Sequence, residues 1–322
     1  MRKINTKTKT SIMSLFIFGI LIIGIFATSI YASTNYQLTL IKGTDDLIVN
    51  QYNDAAWKST VNSSTDPSHW FEGDTNITGA KSRTTLLGWN YITWEAYDIL
   101  TSLFMTEYFS VEEIVILLNI MNSEGFNETT INENYTNTYN LWYGIRAVWN
   151  FTKGPLEEHP SYNEGVLVFK NPLGVKTILD DYNTIAAELN GNLVIQLSGF
   201  TFPNVTADQF LWQLALNGLA IPAPRAQFLI ELINELGCEN ASSSGNSLIF
   251  ERSGESNYTV EISYGEKGIM ASFTVKDISE TTIFQLINMN SDWIFYLILL
   301  IIIACIAGLV VYVIVTKRKP KK

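Results

Sequence analysis

The chain has 322 residues, with 31 Asp and Glu against 21 Lys and Arg and a formal net charge of −10. An acidic chain is repelled by phosphate backbones, which excludes nucleic acid as its partner. Its two cysteines, Cys238 and Cys305, cannot form a disulfide framework. The second falls inside an uninterrupted apolar run, so the fold must rest on a hydrophobic core.

The first segment reads as a targeting signal. Arg2, Lys3, Lys7 and Lys9 precede an apolar run from Ile12 to Ala27. A charged region followed by an apolar one marks residues 1–32 as a signal peptide or signal anchor. Cleavage after Ser29 or Ala32 leaves a weak small-residue site, so an uncleaved anchor is the alternative. Either way the bulk of the chain is expected outside the cell.

Between the two apolar segments the pattern predicts an α+β ectodomain with helices packed on antiparallel sheets. A first unit is expected over 33–190 and a second over 191–290. Early in the first unit, residues 74–79 read DTNITG. Asp74, Asn76, Thr78 and Gly79 match the opening of a calcium loop, but Thr85 stands where the bidentate Glu belongs. No other cofactor is implied. His69 and His159, the only histidines, fall in loop-like contexts without a G-x-S-x-G or H-E-x-x-H motif. They read as surface residues. The adjacent acid pairs Asp45-Asp46, Glu112-Glu113, Glu157-Glu158 and Asp180-Asp181 cannot converge on one substrate from a regular element.

Further along, residues 84–89 read as a strand and 94–105 as a helix. Ser110 and Glu113 form a capping box that opens a helix closed at Gly125. The stretch NLWYGIRAVWNFT (140–152) reads as a strand. Alternation puts Leu141, Tyr143, Ile145, Ala147, Trp149 and Phe151 on a core face. On the other face Trp142 and Arg146 flank Gly144, and this notch is the candidate ligand site. Packing of Trp142 against a neighbouring element is the competing reading. Residues 173–189 carry a 3.6-residue stripe and read as a long helix.

The second unit is expected to open with a strand at 193–199. Thr206 and Gln209 then cap a helix to about Gly218, and Pro224 starts another that ends at Gly237. Strands at 247–252, 257–264, 269–276 and 282–287 form a meander. In 257–264 the residues Tyr258, Val260, Ile262 and Tyr264 share one face. The order strand, helix, helix, glycine, sequon, strand recurs in both halves, so a duplication of two two-layer units is a candidate.

Residues 293–315 contain no charge. As a helix they span roughly 35 Å, enough to cross a hydrocarbon core. The basic cluster in 316–322 marks the cytoplasmic side. Ala304 and Gly308 would let two such helices approach closely, a route to a homodimer. Sequons at Asn62, Asn76, Asn127, Asn134, Asn150, Asn204, Asn240 and Asn257 all lie between the apolar segments. That region holds all 31 acids and only 12 of the 21 basic residues, net −19. The expectation is a single-pass glycoprotein of the cell membrane acting in binding, adhesion or surface structure. Lipid contacts its span, and a protein or glycan is its ligand. An anchored extracellular hydrolase and an accessory subunit of a membrane complex are the rival readings.

Overall fold

Among the described residues, all nine strands belong to one antiparallel sheet. A computed structural model describes residues 36–289. The expected signal segment, span and basic tail lie outside the described residues, among which no helix is long and apolar enough to cross a membrane. Chain order is β1 (Gly43–Tyr52), α1 (Asp54–Thr60), β2 (Lys81–Trp94), α2 (96–108), α3 (Val111–Ser123), α4 (Glu128–Asn134), β3 (Tyr139–Thr152) and β4 (Tyr162–Phe169). There follow α5 (Pro172–Gly191), α6 (Leu193–Leu197), α7 (Ala207–Leu216) and α8 (Arg225–Leu236). The chain then returns to the sheet as β5 (Ala241–Ser244), β6 (Ser247–Ser253), β7 (Asn257–Tyr264), β8 (Met270–Asp277) and β9 (Thr282–Asn288).

Strand order is β4-β3-β2-β1-β9-β8-β7-β6-β5. Two meanders, β1–β4 and β5–β9, therefore meet only where β1 pairs with β9. Bulges at Val49/Gln51, Leu86/Gly88 and Ser263/Tyr264 add local bends to this curled sheet. The protein is thus α+β with helices on an antiparallel sheet. One sheet runs through both expected units.

Local chemistry explains most element ends. Ser110 with Glu113 and Thr206 with Gln209 form the reciprocal bonds of complete capping boxes. Asn171 caps α5 by accepting from the Leu173 N–H. Gly237 ends α8 in the left-handed region at φ 74°, where a side chain would be strained. In α2 the turn Leu100–Phe104 is π-helical, and both Leu100 and Phe104 are buried.

Residues 193–199 are not a strand. Asn192 accepts from the N–H groups of Val194 and Ile195 and starts α6 instead. Only Ile195 of that helix is buried, while Leu197 is 78% exposed. The expected repeat therefore lacks the strand that should correspond to 84–89.

The alternation expected for β3 also holds only in part. Leu141, Ala147 and Phe151 are buried, but Ile145 is 43% exposed and Trp149 is half-buried. Val148, on the opposite face, is buried too. The sheet is covered on both sides here, so parity alone does not separate core from solvent. In β7 the expected alternation is met, with Tyr258, Val260, Ile262 and Tyr264 all buried.

The main core is aromatic. Phe104 stacks on Tyr182 at 3.6 Å between centroids and lies 5.2 Å from Phe210. The loop between α1 and β2 sends Trp70 and Phe71 inward. Trp70 meets Trp57, Trp212 and Phe273 edge-on, and Phe71 meets Phe273 at 4.9 Å. Gly73 holds this loop to β3 at φ 99°, and a Cβ there would lie 2.2 Å from the Phe151 carbonyl oxygen. A smaller core of Leu40, Leu86, Val166, Val168 and Ala220 fills the other face. Residues 218–223 cover it. They bond to Leu167 of edge strand β4, to Gly268 in the β7–β8 turn and to Gln37.

Trp57 is 1% exposed at the hub of the aromatic core. Trp57→Ala is expected to cost about 3–5 kcal/mol of unfolding free energy by urea denaturation. A loss under about 1 kcal/mol would mean that the cluster does not carry the fold.

Candidate functional site

A groove of about 750 Å³ opens where α7, β6 and the loops around them meet. Its parts come from four separated stretches: Tyr108 at the end of α2, residues 203–213, the turn 237–240 and residues 250–253. Trp212 lies in its lining, 8% exposed, with the Arg252 guanidinium 4.1 Å from its ring centroid. That distance is a cation–π contact. Phe250 meets the same indole edge-on at 5.2 Å. Arg252 makes no ion pair with any described residue.

The polar wall is ordered by hydrogen bonds. Asp208, in the first turn of α7, accepts from the backbone N–H groups of Glu239 (3.1 Å) and Asn240 (3.0 Å). It thereby fixes the turn after α8. The Gln213 amide donates to the Tyr108 hydroxyl at 2.6 Å. Burial raises the Tyr108 phenol above its ordinary range, so it stays protonated. Beside it, burial raises the carboxyl of Glu107, whose side chain accepts from Asn217 at 2.6 Å. The groove thus offers an indole and a guanidinium, with amides, hydroxyls and the exposed carboxylates of Glu239 and Glu251 around them. This mixture of donors and acceptors beside an aromatic suits a hydroxyl-bearing ligand.

The residues singled out from the sequence lie elsewhere. Trp142 packs against the smaller core and meets Tyr91 edge-on at 5.8 Å. Arg146 pairs with Glu164 of β4 at 2.8 Å, both side chains largely buried. A Cβ on Gly144 would lie 2.9 Å from the Gly88 carbonyl oxygen and 3.4 Å from Leu86, so the notch between Trp142 and Arg146 is already filled.

In the calcium-like loop, the Lys153 ammonium donates to the Thr78 carbonyl at 2.9 Å. Asp74 accepts from the Lys153 N–H, and the Asn76 amide donates to Asp66. Among the described residues no group of three or more His, Cys, Asp and Glu could hold a metal ion. His69 and His159 are exposed, and neither lines the groove.

Of the sequon asparagines, Asn62, Asn76, Asn134, Asn204, Asn240 and Asn257 are exposed. Asn127 is half-buried and caps α4. Asn150 is half-buried, and its Oδ1 is enclosed without a hydrogen bond. Asn204 and Asn240 both line the groove.

The acid pair Asp45-Asp46 diverges as strand geometry demands. Asp45 takes Lys267 at 2.9 Å and Asp46 takes Arg83 at 2.8 Å.

No protein-family model matches the chain, and neither the curated proteins nor the solved structures contain a match to it. The groove is therefore interpreted from its own chemistry. Sequence patterns could not assemble it, because its four stretches share no motif.

Beside the groove, burial and the neighbouring Asp208 push the Cys238 thiol up to about 12. The thiolate is the reactive form, so the native thiol is expected to exchange with a disulfide reagent at pH 8 at least ~100-fold more slowly than in urea. Equal rates would contradict the burial of Cys238.

Proposed function

We propose that this chain is a single-pass glycoprotein of the cell membrane whose acidic ectodomain binds a ligand. Its bulk lies outside the cell and its basic tail inside. The binding site is the groove over Trp212 and Arg252, and the ligand class is saccharide. The observation that carries this reading is the Trp212–Arg252 stack, a cation on an indole with no ion pair among the described residues, inside a concavity of about 750 Å³. Sugar rings pack their C–H faces on indoles, while their hydroxyls need both donors and acceptors. Arg252 and Gln209 supply donors; Glu239 and Glu251 supply acceptors. A volume of this size holds a short oligosaccharide.

A second reading, an accessory subunit of a membrane complex, draws on a different surface. Val111, Val115 and Ile116 of α3 and Leu193 and Leu197 of α6 are exposed on two helices in mutual contact. Exposed aliphatic groups on two neighbouring helices favour a protein partner. The full chain would then co-purify with other proteins from native membranes, and Val115→Glu with Leu197→Glu would release them without lowering the melting temperature.

The saccharide reading is tested by screening the full chain against a panel of oligosaccharides, followed by calorimetry on any hit. Arg252→Ala is expected to weaken binding by at least ~10-fold, the loss of one strong polar contact, with an unchanged melting temperature. Binding that survives this substitution, or a panel with no hit, would remove the groove as a saccharide site.

A further inference from the structure

We infer that the β2–β3 end of the sheet rests on the bilayer that holds the chain, with Ile41, Lys42, Leu87, Tyr91 and Lys170 as its contact surface. The inference depends on the proposed span at 293–315 and asks where the ectodomain must lie if that span is right.

Strand register fixes directions. Asn288 of β9 pairs with Leu47 of β1, and Leu47 pairs with Ser82 of β2. Both β2 and β9 run antiparallel to β1, so both head towards the same end of the sheet. From Asn288 only five residues lead to Trp293, where the apolar run begins. Fully extended, they reach at most ~18 Å. From Ser82, at the level of Asn288, β2 continues for twelve residues to Trp94, about 40 Å at strand rise. Sheet twist over the two intervening strand pairs turns β2 by about 45° from β9 and shortens that projection to ~28 Å. With β9 upright on the membrane, the tip of β2 would lie ~10 Å below the start of the span. The sheet must therefore lean, and its long β2–β3 end comes to lie along the bilayer surface.

The residues at this end suit that placement. Ile41 is 61% exposed, Leu87 51% and Tyr91 51%. These are large apolar or amphipathic side chains turned to the outside, as in the interfacial zone of membrane proteins. The Lys170 ammonium lies 5.9 Å from the Tyr91 ring centroid, and the Lys42 side chain runs beside Gly88. Long basic side chains here can lay their stems on lipid and reach phosphates with their ammonium groups. The first described residues agree: β1 starts at this end, and Gln37 pairs with Ala223 in the segment that covers it. An otherwise strongly acidic ectodomain would be repelled by anionic lipid, and at this end Lys42 and Lys170 offset the exposed Glu95 that follows β2.

The test uses the full chain reconstituted in phosphatidylcholine vesicles that contain a nitroxide-headgroup lipid. In a Cys238→Ser, Cys305→Ala background, a fluorophore is placed at Tyr91→Cys or, as control, at Ser279→Cys in the β8–β9 turn at the opposite end. Flotation of the vesicles reports anchoring independently. The expected result is co-flotation of the chain, with clear quenching at position 91 and little at 279, since a nitroxide quenches only a fluorophore that reaches the headgroups. Co-flotation with equal quenching at both positions overturns the inference and leaves the membrane reading intact. A chain that does not float overturns both. Melting curves of each labelled variant establish that it is folded.

Discussion

The fold depends on the pairing of its first and last strands. Among the described residues the two meanders pair through β1 and β9, with β1 bonded to β2 on its other side and β9 to β8. Val49 and Leu286 face each other across this seam, and both are fully buried. Asp45 secures its lower end: it is 8% exposed and accepts from Lys267 in the β7–β8 turn and from Asn288 of β9. Asp46 reaches the other way to Arg83 of β2 through two bonds, at 2.8 and 3.1 Å. One dipeptide thus ties both halves to the central strand. With Cys238 the one cysteine among the described residues, closure of the sheet between residues more than 200 apart depends on these contacts, and loop-closure entropy opposes them.

Once the seam is formed, the helices have a platform. α5 packs on β3 and β4, and α8 packs on α5, β5 and β6. Trp212 of α7 then meets Phe250 and Phe273 of the second meander and Trp70 from the first half of the chain. The groove beside Trp212 is a by-product of that convergence. Its floor belongs to the core and its rim to two loops, so a ligand there would touch groups whose positions are already fixed. Such preorganisation lowers the ordering cost of binding.

The sequence revealed elements whose chemistry is local. Capping boxes at Ser110 and Thr206, the glycine after α8 and the 3.6-residue stripe of α5 each announce themselves within a few residues. β7 does so through strict alternation. β1 did not, because GTDDLIVNQY mixes acids with aliphatics and its acids are satisfied only by residues far along the chain. Residues 193–197 misled for the opposite reason: their apolar run resembles a strand, but the N-cap supplied by Asn192 starts a helix that buries Ile195 alone. In β3, coverage of both faces blurred the alternation. The candidate sites divide in the same way. Trp142, Arg146 and the calcium-like loop are visible as short phrases, yet Glu164 and Leu86 pack the first two, and Lys153 bonds to the third, from outside those phrases. The groove, assembled from four stretches, left no local mark.

A seam that carries both halves makes a sharp thermodynamic demand: neither meander should be stable without it. Leu286→Ala removes a fully buried side chain from β9 and should cost about 2–5 kcal/mol. The decisive measurement is native-state hydrogen exchange on wild type and Leu286→Ala, following the amides of β2–β3 and of β6–β7. If the seam carries both halves, the most protected amides in both sets lose protection by the same amount, as one cooperative unit. Loss confined to β6–β7, with β2–β3 unchanged, would mean two independent halves and would contradict it.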